Sequence, residues 1–253
     1  MPKKTLTLWV VTTLITAFSV PAGAANLYWY LAASMSRPGR EIVKRFNERH
    51  HPFTVILITG GSGQLLSKII SAGRGDLYTP AAITYAAKAE KLGLLKNYRP
   101  LIAQTPVFAL STADRQKIHS WSDLSKPGIR IGLGNPGTMA LGKSYELIKK
   151  KMRPQSRTGI ARNKVVEAVN VSQIISYLKA NIIDAGIAFN STAKANNLTY
   201  IEIPAACNHT EIAPLIRLKS EKSSKNSVLF TAFILKHMNI FKKYGFKPAR
   251  TTP

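Results

Sequence analysis

Leu27-Tyr-Trp-Tyr-Leu-Ala-Ala-Ser34 is an apolar run that ends in small residues. In an extended chain, both faces of residues 27–32 would be apolar. Such a run predicts a buried central strand over residues 27–32, because an edge strand would alternate with polar residues. The pattern then becomes that of a helix, with Pro38 in its first turn and apolar positions at Ile42, Val43 and Phe46. A strand, a turn of small residues and a helix in this order predict a βαβ unit and a parallel sheet.

The same order recurs along the chain. Further strands are predicted at 53–59, 76–79, 129–133, 165–169, 184–189 and 200–204. Helices are predicted after the strands that end at residues 59, 79, 133 and 169, the last of them capped by Ser172. Residues 105–110 are extended and apolar and cross to a second lobe, whereas 214–219 and a helix over 227–238 return to the first. We predict an α/β protein of two lobes, each a mostly parallel sheet flanked by helices. Lobe I comprises 26–105 and 207–253, and lobe II comprises 106–206.

The first 25 residues have the layout of a secretory signal. Lys3 and Lys4 precede an uncharged apolar run, and the small residues Ala22 and Ala24 occupy positions −3 and −1 of a cut after Ala24. The run of about 15 residues is shorter than the ~20 that a membrane-spanning helix needs, although a retained N-terminal anchor is the alternative. We therefore expect a signal peptide at 1–24 and a periplasmic chain that begins at Ala25 or Asn26.

The composition excludes several classes of protein. The single cysteine, Cys207, leaves no internal disulfide and no multi-cysteine metal site. The chain has 36 Lys and Arg against 12 Asp and Glu, a formal charge of +24. These basic residues are scattered and form no stripe with interleaved aromatics, so nucleic acid is not the expected partner. The charge favours anions in general without naming one.

Three predicted strand-to-helix turns carry the chemistry: Ala32-Ala33-Ser34, Gly60-Gly61-Ser62-Gly63 and Gly134-Asn-Pro-Gly137. Each lies at the carboxyl edge of a sheet, where the first N–H groups of a helix and its dipole favour an anion. Ser34 and Ser62 add hydroxyl donors. The alternative for each serine is a plain N-cap, which helices require in any case.

A site made only of neutral donors selects the protonation state of its ligand. A proton on the ligand would find no acceptor, which costs about 1–3 kcal/mol. Sulfate, molybdate and tungstate are fully ionised near neutral pH, whereas hydrogen phosphate would need a carboxylate. Asp76 and Asp184 are the only acids considered for such a role, and each fits better as the end of a loop that enters a strand.

Several short segments occur in an order typical of one family: Ala32-Ala33-Ser34-Met-Ser-Arg-Pro38, Gly60-Gly61-Ser62-Gly63, Gly75-Asp-Leu-Tyr-Thr-Pro80, Asp184-Ala-Gly-Ile-Ala-Phe189 and Phe241-Lys-Lys-Tyr-Gly-Phe246. In this ordered set the chain resembles the molybdate- and tungstate-binding proteins of bacterial ABC importers. The resemblance implies a periplasmic-binding-protein fold that closes on a small oxyanion. It further implies a monomer without a cofactor, which delivers the ion to a membrane permease and its ATPase.

The resemblance also implies a set of ligand-binding residues. Ser34 and Ser62 match the two serines of the family, and the backbone amides of the second lobe fall near Leu141 and Val171. The family's tyrosine position is Phe189 here, which has no hydroxyl. Arg37 is the candidate that replaces this donor, with an exposed first-turn residue as its alternative. Tyr78 is a second candidate, with a core position as its alternative.

Other functions find less support in the sequence. Cys207 and His209 would begin a hydrolase hypothesis, but no nucleophile motif surrounds the cysteine. The adjacent His50 and His51 lack a third metal ligand at a fitting spacing, so no metal held by side chains is expected. A sulfate-binding protein, or a basic exported module that binds a polyanion or a surface, remains an alternative to the molybdate or tungstate carrier.

Overall fold

The computed structural model describes residues 26–113, 117–219 and 224–249, and the predicted signal peptide at 1–24 lies outside them. The strands are β1 (Leu27–Ala32), β2 (Val55–Gly60), β3 (Leu77–Thr79), β4 (Leu95–Gln104), β5 (Pro106–Leu110), β6 (Ile131–Gly134), β7 (Lys164–Ala168), β8 (Ala185–Phe189), β9 (Tyr200–Glu202), β10 (Glu211–Leu218) and β11 (Lys247–Pro248). The α-helices are α1 (Ser36–Arg49), α2 (Ser62–Ala72), α3 (Thr84–Lys91), α4 (Ala140–Lys151), α5 (Pro154–Arg162), α6 (Val171–Lys179), α7 (Asn190–Ala195), α8 (Ser224–Lys236) and α9 (Met238–Lys243). Within the described ranges, no helix has the length and apolar character needed to cross a membrane.

The strands form two sheets, in the orders β11-β4-β10-β3-β1-β2 and β7-β6-β8-β5-β9. Strand β1 pairs in parallel with β2 and β3, and β6 pairs in parallel with β7 and β8. The strands that arrive from the other sheet, β5 and β10, run antiparallel to their neighbours. The predicted two-lobed α/β fold is confirmed. The sheets are mixed and not mostly parallel as predicted, because β5 and β10 enter from the other sheet and run antiparallel. The parallel part of each sheet carries the predicted turns. We refer to each sheet with its connecting helices as a lobe.

The predicted central strand is confirmed with the same bounds. Strand β1 lies between β2 and β3, and the side chain of Trp29 is fully buried. Its indole N–H donates to Thr79 at 2.9 Å, and its ring meets Phe230 of α8 edge-on at 5.3 Å. Helix α8 therefore packs in the first lobe.

The chain crosses between the lobes twice, and the two crossings lie side by side. The first crossing is at Thr105, between β4 and β5, and the second leads from β9 to β10. The hydroxyls of Thr105 and Thr210 are 3.3 Å apart, and the Thr105 N–H donates to the Asn190 side chain at 3.2 Å. The lobe boundaries predicted above fall in these crossings and remain a prediction.

Some local predictions differ from the structure. The N-cap of α6 is Asn170 rather than Ser172, because the Asn170 side chain accepts the N–H of Gln173 at 3.2 Å. Five elements have no counterpart in the sequence predictions: β4, β11, α5, α7 and α9.

Candidate functional site: a closed cavity between the lobes

A small cavity lies where the two lobes meet. Its volume of about 20 Å³ suits one small solute, since sites for larger organic ligands measure roughly 300–1,000 Å³. It lies at the ends of β1, β2 and β8 and at the beginnings of α2, α4 and α6. The lining residues are Ala32, Ala33, Ser34, Gly60, Gly61, Ser62, Ala81, Met139, Ala140, Leu141, Val171 and Phe189.

Ser34 presents a buried hydroxyl to this cavity. It lies in a short 3-10 helix, Ala33–Met35, directly after β1, and the residue is 6% exposed. Among the described residues, its Oγ has no hydrogen-bond partner. A buried polar atom without a partner is costly and points to an interaction that the protein alone does not supply.

Ser62 presents a second hydroxyl, held by its neighbours. It is the first residue of α2, and its Oγ accepts the N–H of Ala81 at 3.0 Å. Because the hydroxyl accepts this bond, its own proton remains to be donated. The Ser62 carbonyl accepts the Tyr78 hydroxyl at 2.7 Å. Tyr78, the second candidate donor, thus donates to the backbone of Ser62. Burial raises the pKa of the Tyr78 phenol well above the ordinary range.

Two helices of the second lobe direct their N-termini at the cavity. Ala140 and Leu141 begin α4, and Val171 begins α6. The first N–H groups of a helix have no acceptor within it, and the helix dipole places partial positive charge there. Leu141 and Val171 line the cavity as the sequence predicts, and Ala140 and Met139 are lining residues that the sequence analysis missed. Their place at a predicted helix start is the signal that identifies them.

The remaining wall is apolar. Phe189 ends β8, is 1% exposed and lines the cavity without offering a donor. Arg37 is not brought to the cavity: it is exposed, and its guanidinium donates to the carbonyl of Ala195 at the end of α7. Of the predicted ligand-binding residues, Ser34, Ser62, Leu141, Val171 and Phe189 therefore meet at one cavity and Arg37 lies elsewhere.

Both acids considered for the site are used elsewhere. Asp76 accepts the N–H of Tyr28 at 2.8 Å, and Asp184 forms an ion pair with Arg130 at 2.5 Å. Both contacts lie at the beginnings of strands, away from the cavity. Among the described residues that line the cavity there is no carboxylate. A ligand proton would therefore find no ionised acceptor in this lining.

The lobes are in contact around the cavity. The N–H groups of Gly63 and Gln64 donate to the carbonyl of Thr138 at 2.9 and 3.3 Å. A Cβ added at Gly61 would lie 2.4 Å from the carbonyl oxygens of Thr138 and Val169. No side chain fits there while the lobes are closed, so the glycine permits this approach of the backbones.

Lysines of the two lobes also meet. Lys143 of α4 lies against Lys88 of α3, and this contact, together with partial burial, lowers the pKa of Lys88 to about 8. The Lys88 ammonium lies 4.7 Å from the centre of the Tyr85 ring. Closure therefore brings two like charges together.

The residues of the alternative functions make other contacts. Cys207 donates to the Pro204 carbonyl at 3.3 Å, and burial raises the pKa of its thiol. His209 contacts Glu211 at 2.9 Å and Ser144 at 3.3 Å. Glu211 was missed as a partner of His209, although their spacing of two residues on an extended chain would have identified it.

His50, one of the two adjacent histidines considered as metal ligands, contacts its own helix. Its ring stacks on Phe46 at 4.1 Å, with Nδ1 2.9 Å from the Phe46 carbonyl. Within the part of the chain that the structure describes, no three His, Cys, Asp or Glu residues are grouped to hold a metal ion.

A cavity between two α/β lobes, at the carboxyl ends of parallel strands, is the arrangement expected of a protein that binds a small solute between its lobes. The chain belongs to the bacterial extracellular solute-binding proteins, whose family pattern matches residues 27–247. This finding confirms the family resemblance seen in the sequence.

Individual relatives agree with this assignment. A binding protein of Haemophilus influenzae, whose name states no ligand, is 27% identical over 95% of this chain and 98% of its own length. The molybdate-binding protein ModA of Mycobacterium tuberculosis is 23% identical over 84% of this chain and 80% of its own.

Solved structures share the fold at low sequence identity. The periplasmic molybdate-binding protein of Azotobacter vinelandii has a TM-score of 0.75 at 17% identity, over 90% of this chain and 99% of that one. The sulfate-binding protein SubI of Mycobacterium tuberculosis has a TM-score of 0.71 at 16% identity, over 88% and 87%.

Proposed function

We propose that this protein captures a small, fully ionised tetrahedral oxyanion, molybdate or tungstate first, and delivers it to an ABC permease and its ATPase. The observation that carries the proposal is the Ser34 hydroxyl, buried in the cavity without a partner among the described residues. The Ser62 hydroxyl and the N-termini of α4 and α6 supply the other donors. The ModA relatives support this ligand class. The proposed function requires no reaction.

Titration calorimetry with molybdate, tungstate, sulfate and phosphate tests the proposal. We expect the fully ionised anions to bind and hydrogen phosphate to bind about 10-fold or more weakly, because its proton lacks an acceptor. Equal binding of phosphate would contradict the site proposed here. Failure of every anion would reject the ligand class and leave the fold as described.

Sulfate is the second candidate, because the same lining suits any tetrahedral dianion and a sulfate-binding protein shares the fold. The decisive measurement is the ratio of the molybdate and sulfate affinities. A ratio that favours sulfate would replace molybdate as the proposed cargo without changing the site.

Phe189→Tyr is expected to tighten molybdate binding by about 0.5–3 kcal/mol. The ring at this position already lines the cavity, and Arg37 and Tyr78 are engaged elsewhere, so the added hydroxyl would supply a missing donor. The matched control is Phe108→Tyr, at a fully buried ring that does not line the cavity. Unchanged or weaker molybdate binding by Phe189→Tyr would show that the donor shell is already complete.

Molybdate affinity is expected to increase about two- to fivefold between pH 7 and pH 9. The pKa of Lys88 is lowered to about 8, so its repulsion with Lys143 is complete below that pH. The repulsion fades as the pH rises through 8 towards the ordinary lysine value. Calorimetry at both pH values measures the change, and Lys143→Ala should abolish most of it. An equal increase in that variant would assign the pH dependence to another group.

Export is part of the proposal. N-terminal sequencing of protein recovered outside the cytoplasm should find Ala25 or Asn26 first, because Ala22 and Ala24 suit signal-peptide cleavage. An intact Met1 in the membrane fraction would instead indicate a retained anchor.

A further inference from the structure

We infer that Arg37 is a positioning residue that holds the two lobes closed and thereby slows release of the ligand without touching it. The inference rests on the proposed function and concerns residues outside the cavity. We call the group formed by Arg37, Glu41, Tyr244 and Ala195 the clasp.

The contact that defines the clasp joins the two lobes. Arg37 lies in the first turn of α1, in the first lobe, and its guanidinium donates to the carbonyl of Ala195, the last residue of α7 in the second lobe. The last carbonyls of a helix lack partners within it and lie at the negative end of its dipole. A guanidinium is therefore a favourable partner for Ala195, and the bond forms only when the lobes are together.

The first lobe holds Arg37 ready for this contact. The guanidinium carbon lies 5.7 Å from the centre of the Tyr244 ring, within the range of a cation–π interaction. The Tyr244 hydroxyl donates to Glu41 at 2.9 Å, and Lys243 donates to the same carboxylate at 3.1 Å. A side chain positioned in this way loses less freedom when it binds its acceptor.

The turn after Tyr244 reaches the second lobe as well. Gly245 has a φ of 82°, a conformation that favours glycine. A Cβ added there would lie 3.3 Å from the Cβ of Lys194, the neighbour of Ala195. The turn therefore lies against the end of α7, which gives the clasp a second contact between the lobes.

Helix α7 connects the clasp to the cavity. Its N-cap is Phe189, which lines the cavity, and the Thr192 hydroxyl donates to the Ser34 carbonyl at 3.4 Å. One end of this short helix therefore borders the ligand and the other end is bound by Arg37. Loss of the clasp is expected to favour the open form and leave the cavity donors intact.

Arg37→Ala tests the inference, with molybdate as the probe in stopped-flow release and association measurements. We expect release about three- to tenfold faster and association within about twofold, because the clasp forms after the ligand has entered. The matched control is Arg40→Ala, an exposed arginine of the same helix whose guanidinium contacts Ser36 at 3.4 Å. Arg37→Lys, which keeps the charge near the carbonyl, should recover part of the slow release.

An unchanged release rate in Arg37→Ala, or an equal acceleration in Arg40→Ala, would overturn the inference. The same holds if association slows as much as release quickens, since that pattern indicates general disruption. If the parent binds no oxyanion, the proposed function fails, and small-angle X-ray scattering then tests the clasp alone. The comparison is made in a Ser34→Ala background, in which the buried hydroxyl no longer opposes closure without ligand. Adding Arg37→Ala there should enlarge the radius of gyration, and equal radii would reject the clasp.

Discussion

Gly61→Ala is expected to weaken oxyanion binding about 100-fold or more. The new methyl group would lie 2.4 Å from two carbonyl oxygens of the opposite lobe, those of Thr138 and Val169. Overpacking of this kind costs about 1–3 kcal/mol where neighbours can adjust, and backbone oxygens adjust poorly. The backbone of Gly61, with φ −66° and ψ 145°, is one that alanine adopts without strain. The cost therefore falls on closure and not on the open protein.

The measurements for Gly61→Ala separate closure from folding. Its melting temperature without ligand should remain close to that of the parent, while the calorimetric affinity for molybdate drops. Gly137→Ala, in the facing loop, is the control, because its added Cβ would meet the Asn135 side chain of its own loop at 3.0 Å. Parent-like affinity in Gly61→Ala would mean that the ligand does not require the closed arrangement.

Ser34→Ala and Ser62→Ala are each expected to weaken binding by about 10- to 150-fold, since under the proposed function each removes a hydrogen bond to a charged ligand worth about 1.5–3 kcal/mol. Their effects on the empty protein should differ. The Ser34 hydroxyl has no partner among the described residues, so its loss should not lower the melting temperature. The Ser62 hydroxyl accepts the Ala81 N–H, and its loss should cost about 1–3 kcal/mol of stability.

Calorimetry and thermal unfolding of both serine variants measure these effects. Ser36→Ala is the control: this serine is also buried and close in sequence to Ser34, but does not line the cavity. Retention of parent-like affinity by both variants would place the binding site elsewhere. A loss of stability in Ser34→Ala would show that its hydroxyl has a structural role.

The fold was largely predictable because its decisive signals are local. Residues 27–32, which are apolar on both faces of an extended chain, identify a buried strand without knowledge of distant residues. The glycines before Ser62 identify a strand-to-helix turn in the same way. Strand β4 was missed for the opposite reason. Its sequence is polar, contains Pro100 and is half exposed, and its pairing with β10 joins segments that are far apart in sequence.

The position of the candidate site was predicted from equally local signals, and its role in binding stays a prediction. Ser34, Ser62 and Phe189 follow strands whose carboxyl ends meet, so topology brings them together. The hydrogen bonds of the two hydroxyls were not predictable, because they depend on residues distant in sequence. The Ser62 hydroxyl accepts the N–H of Ala81, whereas the Ser34 hydroxyl has no partner among the described residues. Arg37 follows Ser34 closely in sequence, yet α1 directs it to Ala195, 158 positions further along the chain.

The unpartnered hydroxyl of Ser34 also determines how reliably the closed form indicates that a ligand is bound. In the open protein, water satisfies this hydroxyl, whereas closure over an empty cavity leaves it unsatisfied at about 1–3 kcal/mol. Closed molecules without cargo should therefore be about 5- to 150-fold rarer than they would be with an apolar residue at this position. A membrane partner that recognises the closed form would thus rarely bind a molecule without ligand. The Ser34 hydroxyl would set much of the ratio of loaded to empty closed molecules.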